Sequence, residues 1–384
     1  MNLSNKVVSG VDRLNDFRDE LQQYRVALLT TGAAMDRGLN STLQVVNNYF
    51  DLTCLFGAEF GIMGEKQAGE RYNSYTDVWT GLTVFSLYRY GSFHLSHEML
   101  ASFDVLLVDL PLSGLRYDSY ITSIHRLMRQ LGNTDKKMII LDRPNPIGAV
   151  DVEGPILEEQ YKRDEDEVAL PIRYGLTLGE LALMMNAEDE LNCDLDIIKV
   201  KNWKRSEKQE DTDRPWMSPQ LRYPNQDACV LAAGLDLLRG TNVSYGLGTS
   251  LPYRVIGAPF IDGIQLAANL NKKYLSGVLF SPIFFTPTVG EYKGVQIQGV
   301  KINVMQAKKL KPLQIGITLI YEIKRLAGDD LIFKENEKSD GLLIDYLYGN
   351  SKLARQYMNV YELAKDAETE AQKFVDKASP YLLY

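Results

Sequence analysis

Apolar and polar positions follow two rhythms along the first half of the chain, and together they predict helices and strands in alternation. Val11, Leu14, Phe17 and Leu21 recur at the spacing of an amphipathic helix over 11–23. The run Arg25-Val-Ala-Leu-Leu-Thr-Thr-Gly32 reads as a buried strand closed by a glycine turn. Asn40 or Ser41 caps a helix to about Tyr49, and Asp51–Gly57 is the next strand. Strands over 82–88, 103–109 and 137–142, with helices over 96–102 and 118–131, continue the order. Nearly continuous apolar strands between helices predict an α/β fold with a Rossmann-like, mostly parallel sheet covered on both faces.

Beyond residue 150 the pattern loosens. The charge run Lys162–Glu167 reads as a solvated loop, 177–186 as a helix, 195–200 as a strand and 206–214 as an exposed connection. A second, smaller α/β unit begins near Tyr223-Pro224, which divides the chain into domains 1–222 and 223–384. Its helices fall at about 226–238, 262–272, 309–327 and 353–376, and its strands at about 277–285 and 294–304. The last of these strands alternates strongly, as an antiparallel strand with one wet face does.

Composition narrows the classes. A chain of 384 residues, 45% hydrophobic and 24% charged, can fill two cores. A net charge of -8 argues against nucleic acid as a partner. No apolar run approaches a membrane span. The start, Met1-Asn-Leu-Ser-Asn-Lys6, lacks a signal-peptide core, so the expectation is a cytoplasmic chain or a trimmed exported one. Cys54, Cys193 and Cys229 are far apart and fit no metal spacing, so reduced, partly buried thiols are expected. The histidines, His94, His97 and His125, are too few for a histidine-based metal centre, and His94 and His97 read as surface residues. The glycine-rich loop Gly240–Thr249 lacks the lysine of a phosphate-binding loop, and no dinucleotide fingerprint or nucleophile elbow occurs. No cofactor is therefore expected.

Candidate chemistry gathers at strand ends. Leu55–Glu70 leaves an apolar strand and enters a loop with glycines and the carboxylates Glu59, Glu65 and Glu70. Glu59, Asp109 and Asp142 each follow or end a strand, and in a parallel sheet those ends share one edge, where ligands bind. Paired carboxylates are the usual means of hydrolysing a glycosidic bond. Against that stands the plainer reading of solvated glutamates and turn-capping aspartates. Leu141-Asp-Arg-Pro-Asn-Pro-Ile-Gly148 presents Arg143 and Asn145 from a proline-stiffened loop, suited either to substrate groups or to tying the turn together.

The order of several segments resembles the NamZ-type exo-β-N-acetylmuramidases. They include Leu55–Gly64, Gln67-Ala-Gly69, Tyr75-Thr-Asp77, Thr80–Tyr88, Leu141–Pro146, Val152–Pro155, Thr177–Ala182, Gly240–Ser244, Ile256–Phe260 and Pro380–Tyr384. The similarity runs from about Tyr24 to Tyr384. It implies a cleft between two domains and release of N-acetylmuramic acid, or a related amino sugar, from non-reducing ends of peptidoglycan fragments. A family motif Gly-Pro-Glu-His-Gly matches Gly57-Ala-Glu-Phe-Gly61, so Glu59 is the implied general acid, with Asp109 or Asp142 orienting it or activating water. The candidate substrate-binding set is Glu70, Asp77, Arg116, Arg143, Asn145, Tyr174, Asn242 and Tyr245. Arg116 and Arg143 would grip the lactyl carboxylate, and Phe60, Tyr174 and Tyr245 would offer stacking faces. Most of the departures fall in polar loops: Phe60, Tyr174 and Tyr245 replace charged or imidazole groups, as do Met63 and Leu247, and Pro111-Leu112 replaces a Gln-Asp pair. Two readings follow, a glycosidase retuned to a related sugar, or a glycan-binding paralogue with weak or no catalysis.

Overall fold

The structure is a computed structural model that describes residues 6–67, 69–89, 94–164, 166–355 and 359–384. Met1–Asn5 and residues 356–358, near the start of the helix expected over 353–376, lie outside the described residues, and that stretch holds two helices, Lys352–Arg355 and Val360–Ala378. The first domain is built on a seven-stranded sheet of order β3-β4-β2-β1-β5-β6-β7. The strands are β1 (Arg25–Thr30), β2 (Asp51–Gly57), β3 (Tyr75–Thr76), β4 (Thr83–Ser86), β5 (Val105–Asp109), β6 (Lys137–Leu141) and β7 (Asp194–Ile198). All neighbours run parallel except the short edge strand β3, which pairs antiparallel to β4. The mostly parallel α/β sheet expected from the apolar strands is therefore present.

Helices cover both faces because alternate strand residues need burial on each side. Leu106 and Val108 of β5 join the core under helices Ser119–Leu131 and Leu178–Glu188, whereas Val105 and Leu107 join the core under helix Thr42–Tyr49. The caps are local. Ser41 with Gln44, and Thr177 with Glu180, form reciprocal capping boxes that fix two helix starts next to strand ends. The 11–23 segment begins as a 3-10 helix over Val11–Phe17 and becomes α-helical only at Arg18–Leu21.

The second domain holds a three-stranded antiparallel sheet of order β8-β10-β9, with β8 (Val255–Ala258), β9 (Val278–Phe285) and β10 (Ile297–Val304). The antiparallel setting of β10 agrees with its alternation. β8 was not expected, since four residues ending at Gly257-Ala258-Pro259 carry too short a pattern. Helices Gln226–Leu235 and Pro312–Ala327 cross backbone to backbone. A Cβ on Gly234 would lie 1.8 Å from the Pro312 carbonyl oxygen, so only glycine permits that approach.

The two domains share packing. Leu115, Tyr117, Ile147 and Ile172 of the first domain belong to the second domain's core. In the other direction, Phe374 and Ala378 of helix Val360–Ala378 return to the first domain's core. The chain end follows, with the Tyr384 hydroxyl donating to Asp142 at 2.6 Å. Cys54, Cys193 and Cys229 are free and buried. No helix among the described residues is long and apolar enough to cross a membrane.

Candidate active site

The site forms where the strand order reverses. From β1 the chain passes to β2 on one side, and β5 pairs β1 on the other, so loops after β2 and β5 part above β1. After β2 the backbone makes a tight turn, Ala58–Gly61, closed by the Gly61 N–H donating to the Ala58 carbonyl at 3.0 Å. Gly61 sits at φ +73, and a Cβ there would strike the Glu65 side chain. Tyr72 holds the same Ala58 carbonyl through its hydroxyl at 2.5 Å. Glu59 stands at the tip of this turn.

Two donors fix the Glu59 carboxylate. The Gly69 N–H donates to Oε1 at 2.9 Å, and the Ser119 hydroxyl donates to Oε2. Ser119 is the first residue of the helix that follows β5, so the two loops flanking β1 meet at this carboxylate. A hydroxyl both donates and accepts, so Ser119 can partner Glu59 in either protonation state. The cavity around them is about 1280 Å³ and lies between the domains. Glu59, Phe60, Ser119 and Arg222 line it from the first domain, and Arg239 and Phe333 line it from the second. Phe60 is braced edge-to-face by Tyr120, with ring centroids 6.0 Å apart.

The other expected site residues go elsewhere. Asp109 is fully buried and takes both Arg143 N–H groups, Nη2 at 2.7 Å, along with the Thr42 hydroxyl. Its place in the β5 alternation turns it to the face under helix Thr42–Tyr49, whereas Ser119 and Tyr120 start the helix on the other face. Arg143 also donates to the Met35 carbonyl at 2.9 Å, so its guanidinium is committed inside the fold. Asp142 is buried beneath helix Leu178–Glu188. It accepts from the Gly179 N–H at 2.9 Å, the Thr177 hydroxyl at 2.7 Å and Tyr384. That is the arrangement a helix N-terminus favours for an anion. Convergence of Asp109 and Asp142 with Glu59 is thus corrected: neither lines the cleft.

Arg116 is corrected in the same way. It is 2% exposed and spends its donors on the carbonyls of Leu170 and Leu347, each at 2.7 Å, the second across the domain boundary. Asn145 bridges the Leu176 carbonyl and the Ile147 N–H. Tyr174 is fully buried, with burial pushing its hydroxyl well above the usual tyrosine range, and offers no stacking face. Tyr245 leans on Tyr253 in the second domain, centroids 5.5 Å apart. Asp77 caps its own turn through the Thr80 N–H at 2.8 Å. Glu70 is exposed and caps Gln67 at 2.9 Å, between the cleft residues Gly69 and Arg71. Asn242 acts indirectly, accepting from the Ile332 N–H and donating to the Asp330 carbonyl, both at 2.9 Å, which holds the loop bearing Ile332 and Phe333 in the cleft wall.

Sequence reasoning missed Ser119, Gln220 and Arg239. For Ser119 a signal existed: it opens the helix after β5, at the same sheet edge as Glu59. Its neighbour Asp118 is 1% exposed and accepts from the Ser113 N–H at 2.7 Å and from Gln220 Nε2 at 2.6 Å. Burial pushes the Asp118 carboxyl up to about 6, against an ordinary aspartate near 3.9. A carboxyl raised by folding favours the folded state below about pH 4 and loses that contribution as pH climbs through about 6. Asp118→Asn removes this titration. Its stability relative to wild type is expected to rise between about pH 4 and pH 6, read from urea midpoints at each pH. A difference that stays flat would show Asp118 ionising alike in both states.

Fold and site together define a two-domain α/β protein with a well-held glutamate, Glu59, in an interdomain cleft. Residues 26–227 match the family model described as the N-terminal part of exo-β-N-acetylmuramidase NamZ, and residues 231–384 match the C-terminal part. The chain belongs to the NamZ exo-β-N-acetylmuramidase family. It is 34% identical to the peptidoglycan β-N-acetylmuramidase NamZ of Bacillus subtilis strain 168, over 99% of this chain and 92% of that protein. Among solved structures, a DUF1343 family protein from Bacteroides fragilis NCTC 9343 superposes with TM-score 0.89 at 29% identity, covering 99% of each chain. A second DUF1343 protein from that strain gives 0.74 at 25%, with the same coverage.

Proposed function

We propose that the chain is an exo-β-N-acetylmuramidase that releases N-acetylmuramic acid from non-reducing ends of peptidoglycan fragments. The observation that carries the reading is the Glu59 carboxylate, fixed by Gly69 and Ser119 in a cleft roomy enough for a sugar. Family membership, and a relative with that activity in its name, support the substrate.

Glu59 acts as general acid, giving its proton to the glycosidic oxygen as the bond to the leaving sugar breaks. Ser119 then donates to the carboxylate left behind, so negative charge develops against a hydrogen bond already in place. Phe60 offers an apolar face beside it. Activation of water falls to a carboxylate other than Asp109 or Asp142. Among the described residues, the carboxylates that line the cleft with Glu59 are Asp164, Asp166, Glu335 and Glu337. Asp166 is already held by Arg163, with Nε at 3.1 Å.

Incubation with an aryl β-N-acetylmuramide and with muropeptide disaccharides tests the reading. Release of the aryl group and of free N-acetylmuramic acid is the expected result. Saturable sugar binding with no release over hours would select a glycan-binding paralogue instead, the reading that loss of Asp109 and Asp142 from the cleft favours.

A further inference from the structure

The arginines expected to take the lactyl carboxylate, Arg116 and Arg143, are committed to internal carbonyls and to Asp109. Muramic acid differs from glucosamine by that carboxylate, so a site selective for it needs a cation that the fold has not already used. The cleft arginines differ sharply in this respect. Arg163 pairs with Asp166. Arg222 leans toward Asp236 at 3.6 Å, and Arg71 lies 4.0 Å from the Tyr88 ring centroid. Arg239 lines the same cavity as Glu59, is half-buried, and has neither a hydrogen bond nor an ion pair among the described residues.

Its backbone, by contrast, is fixed. Arg239 sits in the 3-10 turn Asp236–Gly240, whose first residue accepts the Tyr253 hydroxyl at 2.9 Å. At the turn's last residue, a Cβ on Gly240 would lie 2.7 Å from Ile344. A cation on a rigid turn, partly removed from water and unneutralised, costs stability unless something pairs with it. It projects from the second domain into a cavity whose other wall carries the general acid. Arginine also matches a carboxylate in bidentate fashion.

The geometry points to Arg239 as the specificity-determining residue that binds the lactyl carboxylate of the muramoyl unit. This rests on the muramidase reading above and adds the group that separates muramic acid from glucosamine.

The test compares 4-nitrophenyl β-N-acetylmuramide with its lactyl carboxamide, on wild type, Arg239→Gln and Arg239→Lys, with thermal melting to confirm folding. A hydrogen-bonded charge pair of this kind corresponds to about ten- to hundredfold in affinity. Arg239→Gln is expected to raise KM for the acid by about that factor, with kcat nearly kept and the carboxamide barely affected. Arg239→Lys should recover part of the loss. An unchanged KM for the acid in folded Arg239→Gln overturns the assignment. If wild type turns over neither compound, calorimetric titration with free N-acetylmuramic acid and its carboxamide decides separately. Arg239-dependent preference for the acid upholds the site while the hydrolase reading falls, and equal binding by wild type and Arg239→Gln overturns the site.

Discussion

Glu59→Gln is expected to lower kcat on an aryl β-N-acetylmuramide by about 10²–10⁴-fold, the usual contribution of a positioned general acid. Glutamine keeps the size of the side chain and an oxygen that can accept from Ser119 or Gly69. KM should therefore change little. The melting temperature should also hold, since Glu59 is half-buried at a turn tip and makes no ion pair among the described residues. An aryl leaving group needs less protonation than a sugar, so the loss should be larger on a muropeptide disaccharide than on the aryl glycoside. A loss equal on both substrates would assign Glu59 to nucleophilic or base chemistry rather than to leaving-group protonation.

Asp109→Asn is the change expected to cost most in stability. It leaves the Arg143 guanidinium, 13% exposed, without its fully buried counter-charge. Removing one partner of a buried pair costs about 3–5 kcal/mol, read as a fall in the urea midpoint at constant slope. Activity per folded molecule should survive, because Asp109 faces helix Thr42–Tyr49 and not the cleft. The opposite pattern, normal stability with lost turnover, would return Asp109 to the chemistry.

These two aspartate and glutamate positions show how far the sequence could be read. β2 and β5 run to the same sheet edge, where β5 ends in Asp109 and β2 is followed by Glu59 two residues past Gly57. Neither position by itself shows whether its carboxylate meets the cleft or a distant segment of chain. The difference lies in where each side chain stands, Asp109 still paired with Thr30 in the sheet and Glu59 on the turn beyond β2, and in what the fold has packed there. For Asp109 that is Arg143 and Thr42, far away in the chain. For Glu59 it is an open cleft. Arg116 makes the same point. Its place in a glycine-containing loop resembles a binding residue, but its carbonyl partners come from 54 and 231 residues away.

The sequence by itself determined the alternation of apolar strands and amphipathic helices, the mostly parallel first sheet, the antiparallel β10, the family and the place of Glu59 at a strand end. The elements follow from periodicity and local turn chemistry and the family from the order of its motifs, all of which short stretches of chain carry. Only the tertiary structure decided which charges are neutralised inside the fold and which remain to meet a ligand. Pairing depends on contacts between distant segments, and a buried charge must find its partner there whatever its neighbours in sequence. Asp109 and Arg143 found each other, and Asp142 and Arg116 found buried hydrogen-bond partners, whereas Glu59 kept only a hydroxyl and an amide, and Arg239, across the cleft, kept none among the described residues.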